Sequence, residues 1–465
     1  MLRDLAGADL KHVLFEFHPE GSLATTYNTQ GSDIGLAAGL CGMDILDPMM
    51  PHSLDRAAKS GIELEFRITP YPASHPNTYL ATLTTGAGKI LKARAESTGG
   101  GMIHVTGIQD SRVDLFGDEF VVVIQPRESE KLEIRTFPDR DSALTMLSAA
   151  DSSVFLKSLI QPVLPIPSNK GANLPFNDLR ELLDSPALLR RTLGDLGLAF
   201  ESARSGFGET RMNDQMIRLI GVWKKSIAEG VAGTEYADRL MGAQVPLFMS
   251  RMNSGRLIQA GPLNRMMAYS TALMEVKSSM GVIIAAPTAG SCGGLPGTLI
   301  AMAEEANLPD DILVKGFWAA GLIGLFIAQG ATFAAEVAGC QAETGAGAAM
   351  AAAGLVEMSG GTAQEALDAA SVALQNVMGL VCDPVANRVE IPCLGRNAAE
   401  AGHALVAANL ILGGIDPVIP LDESIVTMLE IGHAMPASLR CTALGGLAAT
   451  PTAKRLERKL YDRNK

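Results

Sequence analysis

The chain has 465 residues, 47% of them apolar and 19% charged, enough to bury a large core and to divide into two domains or more. Its net charge of -12, with no basic run apart from the ArgLeuGluArgLysLeu tail at 455–460, excludes nucleic acid as the expected partner and points to a small molecule. Charges scattered through the N-terminus break any signal-like apolar run, and six cysteines are few for this length, so the expected setting is the cytoplasm with reduced thiols.

Residues 12–137 mix two periodicities. Segments 32–42 and 53–60 have helical composition, whereas IleGluLeuGluPheArgIleThr at 62–69 alternates apolar and charged residues as a half-buried strand does. Leu91, Ala93 and Ala95 alternate with Lys92, Arg94 and Glu96, and 120–124 and 131–135 read as further strands. Two loops interrupt them. SerHisProAsnThr at 74–78 presents His75, an imidazole suited to general base work, and SerThrGlyGlyGlyMet at 97–102 allows close backbone approach to a ligand or simply a turn. The proline-bearing stretch 138–175 has little periodicity and is expected to link the α+β half, 1–150, to the C-terminal half.

From 176 to 465 helical spacing dominates, in AspLeuArgGluLeuLeu, in GlnMetIleArgLeuIleGlyValTrpLysLys and in Ala/Gly-rich runs such as 346–355, predicting a mostly α-helical, tightly packed second domain. PheTrpAlaAlaGlyLeuIleGlyLeuPheIleAla at 317–328 is apolar but shorter than the ~20 residues a membrane span needs, so a buried helix is expected. AlaProThrAlaGlySerCysGlyGlyLeuProGly at 286–297 runs into a helix-prone segment, which suits either an anion at a helix N-terminus or a tight connection between packed helices. It lacks the Lys-Ser/Thr ending of a phosphate loop.

Three cysteines stand in Gly/Pro-punctuated surroundings: Cys340 in AlaGlyCysGlnAlaGlu, Cys382 in LeuValCysAspProValAla and Cys393 in IleProCysLeuGlyArgAsn. Three thiolates would leave one corner of a cubane cluster without a protein ligand, open to substrate as a Lewis acid. The intervals of 41 and 10 residues match neither ferredoxin runs nor paired zinc motifs, so a zinc site and packed core thiols both stay open on spacing alone.

Together with SerSerMetGly at 278–281, GlyCysGlnAlaGlu, ValGluIleProCys, ArgAsnAla at 396–398 and ThrAlaLeuGlyGlyLeuAla, these segments resemble the iron-sulfur-dependent L-serine dehydratases, with a β-type domain (1–150) fused ahead of an α-type domain (176–465). The resemblance implies a 4Fe-4S cluster on Cys340, Cys382 and Cys393. It implies a homodimeric, oxygen-sensitive lyase of amino acid degradation, feeding gluconeogenesis, that eliminates water from L-serine to give pyruvate and ammonia. It places substrate contacts on Gln30, Ser32, Asn77, Thr78, Ser97, Thr98, Gly99 and Gly100, with Thr288, Gly290 and Ser291 from the glycine-rich loop. Asn77 and the N–H groups of 97–101 and 288–294 are expected to orient the carboxylate. His75 is the expected base, and Lys277 the second candidate provided burial lowers its pKa.

Departures from the family pattern are as informative. Gln30 stands where a histidine is usual, Lys277 replaces an Asn, Cys441 replaces a Glu, and a Ser-Ser-His-Thr segment common in the family is not among these residues. They leave room for a different amino or hydroxy acid as substrate, or for a cluster-binding sensor. Cys441 is expected to be a packed thiol. A pyridoxal-phosphate enzyme could also deaminate serine, but no segment suggests its Schiff-base lysine in a phosphate-binding fold.

Overall fold

The computed structural model describes residues 1–463 except 8, 76, 100, 128–130, 151–153, 165, 167 and 170. The chain divides into two units, Met1–Thr98 with Met102–Ala172 and Arg204–Gly206, and Gly99–Gly101 with Asn173–Ala203 and Phe207–Lys465.

Period-two alternation builds the first unit. Its main sheet takes β1 (Leu10–Phe17), β2 (Glu63–Ile68), β3 (Thr78–Thr85), β4 (Ile90–Gly99), β5 (Met102–Ile108) and β6 (Ser111–Leu115) in the order β2-β1-β3-β4-β5-β6. β1 and β2 run parallel, so the chain must cross over between them, and the crossover carries α-helices Leu23–Thr26, Ser32–Leu40 and Ser53–Lys59. The buried sides of Val13, Phe15, Phe17, Leu83, Leu91 and Ala95 form one core.

The stretch expected as a linker is largely folded. β7 (Phe120–Gln125) pairs antiparallel with β8 (Glu133–Phe137) on one side and with β9 (Leu156–Ile160) on the other, and a helix, Arg140–Ala149, lies between β8 and β9 in sequence. β7 is therefore buried on both faces: Val121 and Val123 join the main core while Val122 and Ile124 pack with Ala143 of that helix. The first unit consequently runs to Ala172 rather than ending near 150. Proline concealed β9 because the prolines cluster after Ile160, outside the paired residues.

The second unit is helical, as the spacing predicts. Its framework is α1 (Leu263–Ser278), α2 (Gly294–Glu305), α3 (Asp310–Gly330), α4 (Thr344–Met358), α5 (Ala363–Gln375) and α6 (Cys393–Leu412). Every residue of α4 is buried, which a helix can achieve only with small residues where neighbours cross. At Gly354 an added Cβ would lie 2.9 Å from the Gly316 carbonyl oxygen of α3, and at Gly347 it would overlap Glu400 Oε1 of α6. α3 is long and apolar enough to cross a membrane, yet 67% of its most apolar window is buried, with Phe317, Ile323, Phe326 and Ile327 in the core. That is the buried helix expected from its sequence.

Candidate active site

Two of the three thiols sit where a helix begins. Cys340 opens a single 3-10 turn, Cys340–Ala342, that leads into α4, and its Sγ lies 3.3 Å from Thr344 Oγ1. Cys393 is the first residue of α6. The positive end of each helix dipole favours negative charge there. Cys382 lies on an extended segment bridged in parallel to Arg440; its N–H donates to Leu439 O, and its carbonyl accepts from Cys441 N–H, both at 2.8 Å. Cys340 and Cys382 pack together with Ala335, Leu380 and Cys441, and Cys340 acts electrostatically on both Cys382 and Cys393. Cys393, eleven residues beyond Cys382, packs instead with Met274, Cys292 and Leu394.

All three thiols are buried, and all are held protonated in the absence of a cation. Burial pushes Cys340 up to about 12 and Cys393 well above its ordinary value; for Cys382 the hydrogen bond with the Cys441 thiol comes first and burial second. A metal binding there must displace those protons. Among the described residues no three His, Cys, Asp or Glu side chains converge on a point that could hold one ion. Zinc would require its sulfurs within ~4 Å of one another, whereas each thiolate of a 4Fe-4S cluster serves a different iron. Three soft, buried donors with Arg396 and Lys277 in electrostatic reach of Cys393 are a donor set that fits an anionic iron-sulfur cluster.

The glycine-rich loop meets protein where an anion was expected. Ser291 N–H donates to Thr288 Oγ1 at 3.0 Å, and the N–H groups of Gly293 and Gly294 both donate to Asn397 Oδ1, at 3.0 and 3.3 Å. Asn397 Nδ2 in turn donates to Gly290 O and Cys393 O, each at 2.9 Å, while Ser291 Oγ donates to Glu400 Oε2 at 2.8 Å. Three of the seven N–H groups in 288–294 are therefore engaged by this chain's own side chains. The glycines serve close packing: a Cβ at Gly293 would overlap Ser270 O, and one at Gly294 would overlap Glu400 Cδ.

Beside this loop stand two groups that desolvation drives in opposite directions. Thr288 Oγ1 donates to Glu343 Oε1 at 2.6 Å, yet desolvation prevails and pushes the Glu343 carboxyl up to about 7. Lys277, at the C-terminal end of α1, is partly buried, and desolvation lowers its pKa against the opposing influence of Cys292, Cys393, Glu343 and Glu390. The condition set for it as a base is met in direction. Arg396 Nη1 donates to Val381 O at 2.9 Å and Nη2 to Asp383 Oδ1 at 2.8 Å, tying the Cys382 segment to the helix that carries Cys393. Glu343, Asp383, Arg396, Asn397 and Glu400 have no role assigned from sequence. Four of them lie within the recognised motifs and Glu400 lies one turn beyond, but only folding shows what each touches.

In the first unit Asn77 is the hub. Its buried Oδ1 accepts from both the N–H and the hydroxyl of Ser22, at 3.1 and 3.0 Å, and its carbonyl accepts from Ser97 N–H at 3.1 Å. It joins three segments instead of presenting that oxygen to a ligand. The Asn77 N–H donates to His75 Nδ1 at 3.1 Å, so a neutral ring would carry its proton on Nε2. Thr78 Oγ1 donates to His75 O at 2.7 Å. Ser97, Thr98 and Gly99, expected in a loop, continue β4 to its end, with Gly99 at φ +95. Gln30 is exposed and Ser32 begins the helix Ser32–Leu40, separated by Gly31 at φ +80. Gly100 lies outside the described residues.

Comparison with known proteins gives a consistent result. The family profile described as Serine dehydratase alpha chain matches residues 42–448. The probable L-serine dehydratase alpha chain of Bacillus subtilis is 37% identical over 286 residues, covering 62% of this chain and 95% of that protein. The L-serine dehydratase alpha chain of Peptoniphilus asaccharolyticus is 38% identical over 284 residues, 61% of this chain and 97% of its own length. L-serine dehydratase 1 of Escherichia coli is 38% identical over 182 residues, 39% of this chain and 40% of that protein. With the profile spanning most of the chain and relatives matched almost end to end, the chain belongs to the L-serine dehydratase family.

Proposed function

We propose that this protein is an iron-sulfur-dependent lyase that deaminates L-serine to pyruvate and ammonia by β-elimination of water. Family membership supports the dehydratase chemistry. The packing of Cys340 with Cys382, together with the electrostatic influence of Cys340 on Cys393, is the observation that supports the cofactor. These three would hold a 4Fe-4S cluster, which when bound supplies Lewis acidity that neutralises charge on the departing hydroxyl oxygen.

The chain's own residues divide the remaining work. Lys277, its pKa lowered by burial, takes the α-proton at Nζ. Loss of the β-hydroxyl then leaves 2-aminoacrylate, whose imine tautomer hydrolyses to pyruvate and ammonia, so the water released in the first stage balances the one consumed in the second. Arg396 holds Val381 and Asp383 and lends positive charge to Cys340 and Cys393.

The test is iron and sulfide analysis of anaerobically prepared protein beside a serine turnover assay. Cys382→Ala is expected to lose both cluster and turnover. Wild-type protein that turns over serine at full rate with no bound iron would refute the scheme.

A further inference from the structure

Cys441 has no part in that chemistry, yet it packs with Cys382 in one buried cluster. The backbone explains the meeting. Cys382 is in register with Arg440, and in an extended strand successive side chains alternate, so Arg440 would share the side of Cys382 and Cys441 would face away. Cys441 is instead held at φ +59, a left-handed conformation unusual for a residue with a side chain, which breaks the alternation. Contacts outside the pair maintain it: Arg440 Nη1 donates to Val337 O at 3.1 Å, and Leu447 N–H to Asp383 Oδ2 at 2.7 Å. Cys340, the other thiol in this cluster, is engaged elsewhere, with its sulfur against Thr344 Oγ1. Neighbouring backbones joined by a 2.8 Å hydrogen bond, with both side chains in one buried cluster, place the two thiols where a disulfide can close.

We propose that Cys382 and Cys441 form an oxidative modification site, closing into a disulfide when the metal-free protein meets a hydroperoxide. The Cys441 sulfur attacks the O–O bond of hydrogen peroxide, giving a sulfenic acid and one water. The Cys382 sulfur then displaces the sulfenic hydroxyl, which leaves with the thiol proton as a second water, and the S–S bond forms. Two electrons from the two thiols reduce one peroxide. The disulfide keeps Cys382 reducible and off the irreversible path to sulfinic acid. That this spares a cluster ligand rests on the proposed function; the disulfide itself does not.

The experiment treats metal-free, full-length protein with excess hydrogen peroxide, blocks free thiols, and maps peptides without reductant. The expected product is a linked peptide containing Cys382 and Cys441, released by dithiothreitol. In Cys441→Ser the link is lost and Cys382 proceeds to sulfinic acid. Sulfinic acid at Cys382 in the wild-type protein, or its linkage to Cys340 instead, overturns the proposal. Untreated protein reconstituted in parallel with iron and sulfide separates the two readings. A link without cluster uptake sinks only the proposed function, and cluster uptake without a link sinks only this inference.

Discussion

Lys277 and Glu343 show one desolvation acting on charges of opposite sign, lowering the amine and raising the carboxyl. Lys277→Met is expected to cut kcat by about 10²–10⁴, the usual worth of a positioned base, with iron and sulfide content unchanged. His75→Ala is expected to leave iron and sulfide content unchanged while slowing turnover; a turnover rate equal to that of the wild type would remove His75 from the chemistry. For Glu343 the consequence is a stability that depends on pH. A carboxyl raised from 4.5 to about 7 keeps its proton in the folded chain where the unfolded chain has released it, so stability falls as pH rises through that window. The Tm of metal-free wild-type protein should therefore drop across it relative to Glu343→Gln, with the two converging at acid pH. Parallel curves would show that the carboxyl is not titrating there. Lys277 and His75 were legible as candidates in the sequence, but the Glu343 shift was not: Glu343 is visible in the GlyCysGlnAlaGlu motif, yet its pKa depends on neighbours such as Thr288 and Lys277, contributed by other segments.

Between elements, the strap from α6 to the glycine-rich loop is the decisive contact. Asn397 satisfies two N–H groups and two carbonyls at once, so Asn397→Ala should cost roughly 2–4 kcal/mol by leaving buried groups unpaired. Chemical denaturation would check it, and a loss under ~0.5 kcal/mol would mean that water replaces the strap. Gly293→Ala should be worse, because the added Cβ meets the Ser270 backbone oxygen, which cannot rotate away. Gly321, in the middle of α3 with open space around its Cβ position, is the control: alanine there should be neutral or stabilising by about 0.5–1 kcal/mol. The glycine-rich segment allows two meanings in sequence, an anion site or tight helix packing. In the structure α6 supplies the Asn397 Oδ1 acceptor to two of its N–H groups, and the glycines make room for close packing. Strand β9 was hidden for a related reason: its partner β7 lies about 35 residues earlier, and pairing at that distance leaves no local signal beyond a short alternation.

At the scale of the molecule, all three proposed ligands come from the helical unit, so a cluster bound there should stabilise that unit selectively. Hydrogen exchange before and after anaerobic chelation is expected to lose protection in 335–343, 380–394 and 437–447, with the cores of β1, β3 and β4 unaffected. A uniform loss over both units would place the cluster's stabilising role elsewhere.

The order and type of the domains, the buried character of the 317–328 helix and the identity of the candidate thiols come from local periodicity and composition, which act over a few residues and can be read in one dimension. Which thiols pack together, why Lys277 differs from an ordinary lysine, and that Cys441 lies in the same buried cluster as Cys382 depend on contacts among residues tens to hundreds of positions apart. Electrostatic environment and thiol proximity are properties of three-dimensional neighbourhood, so only the tertiary structure decides them.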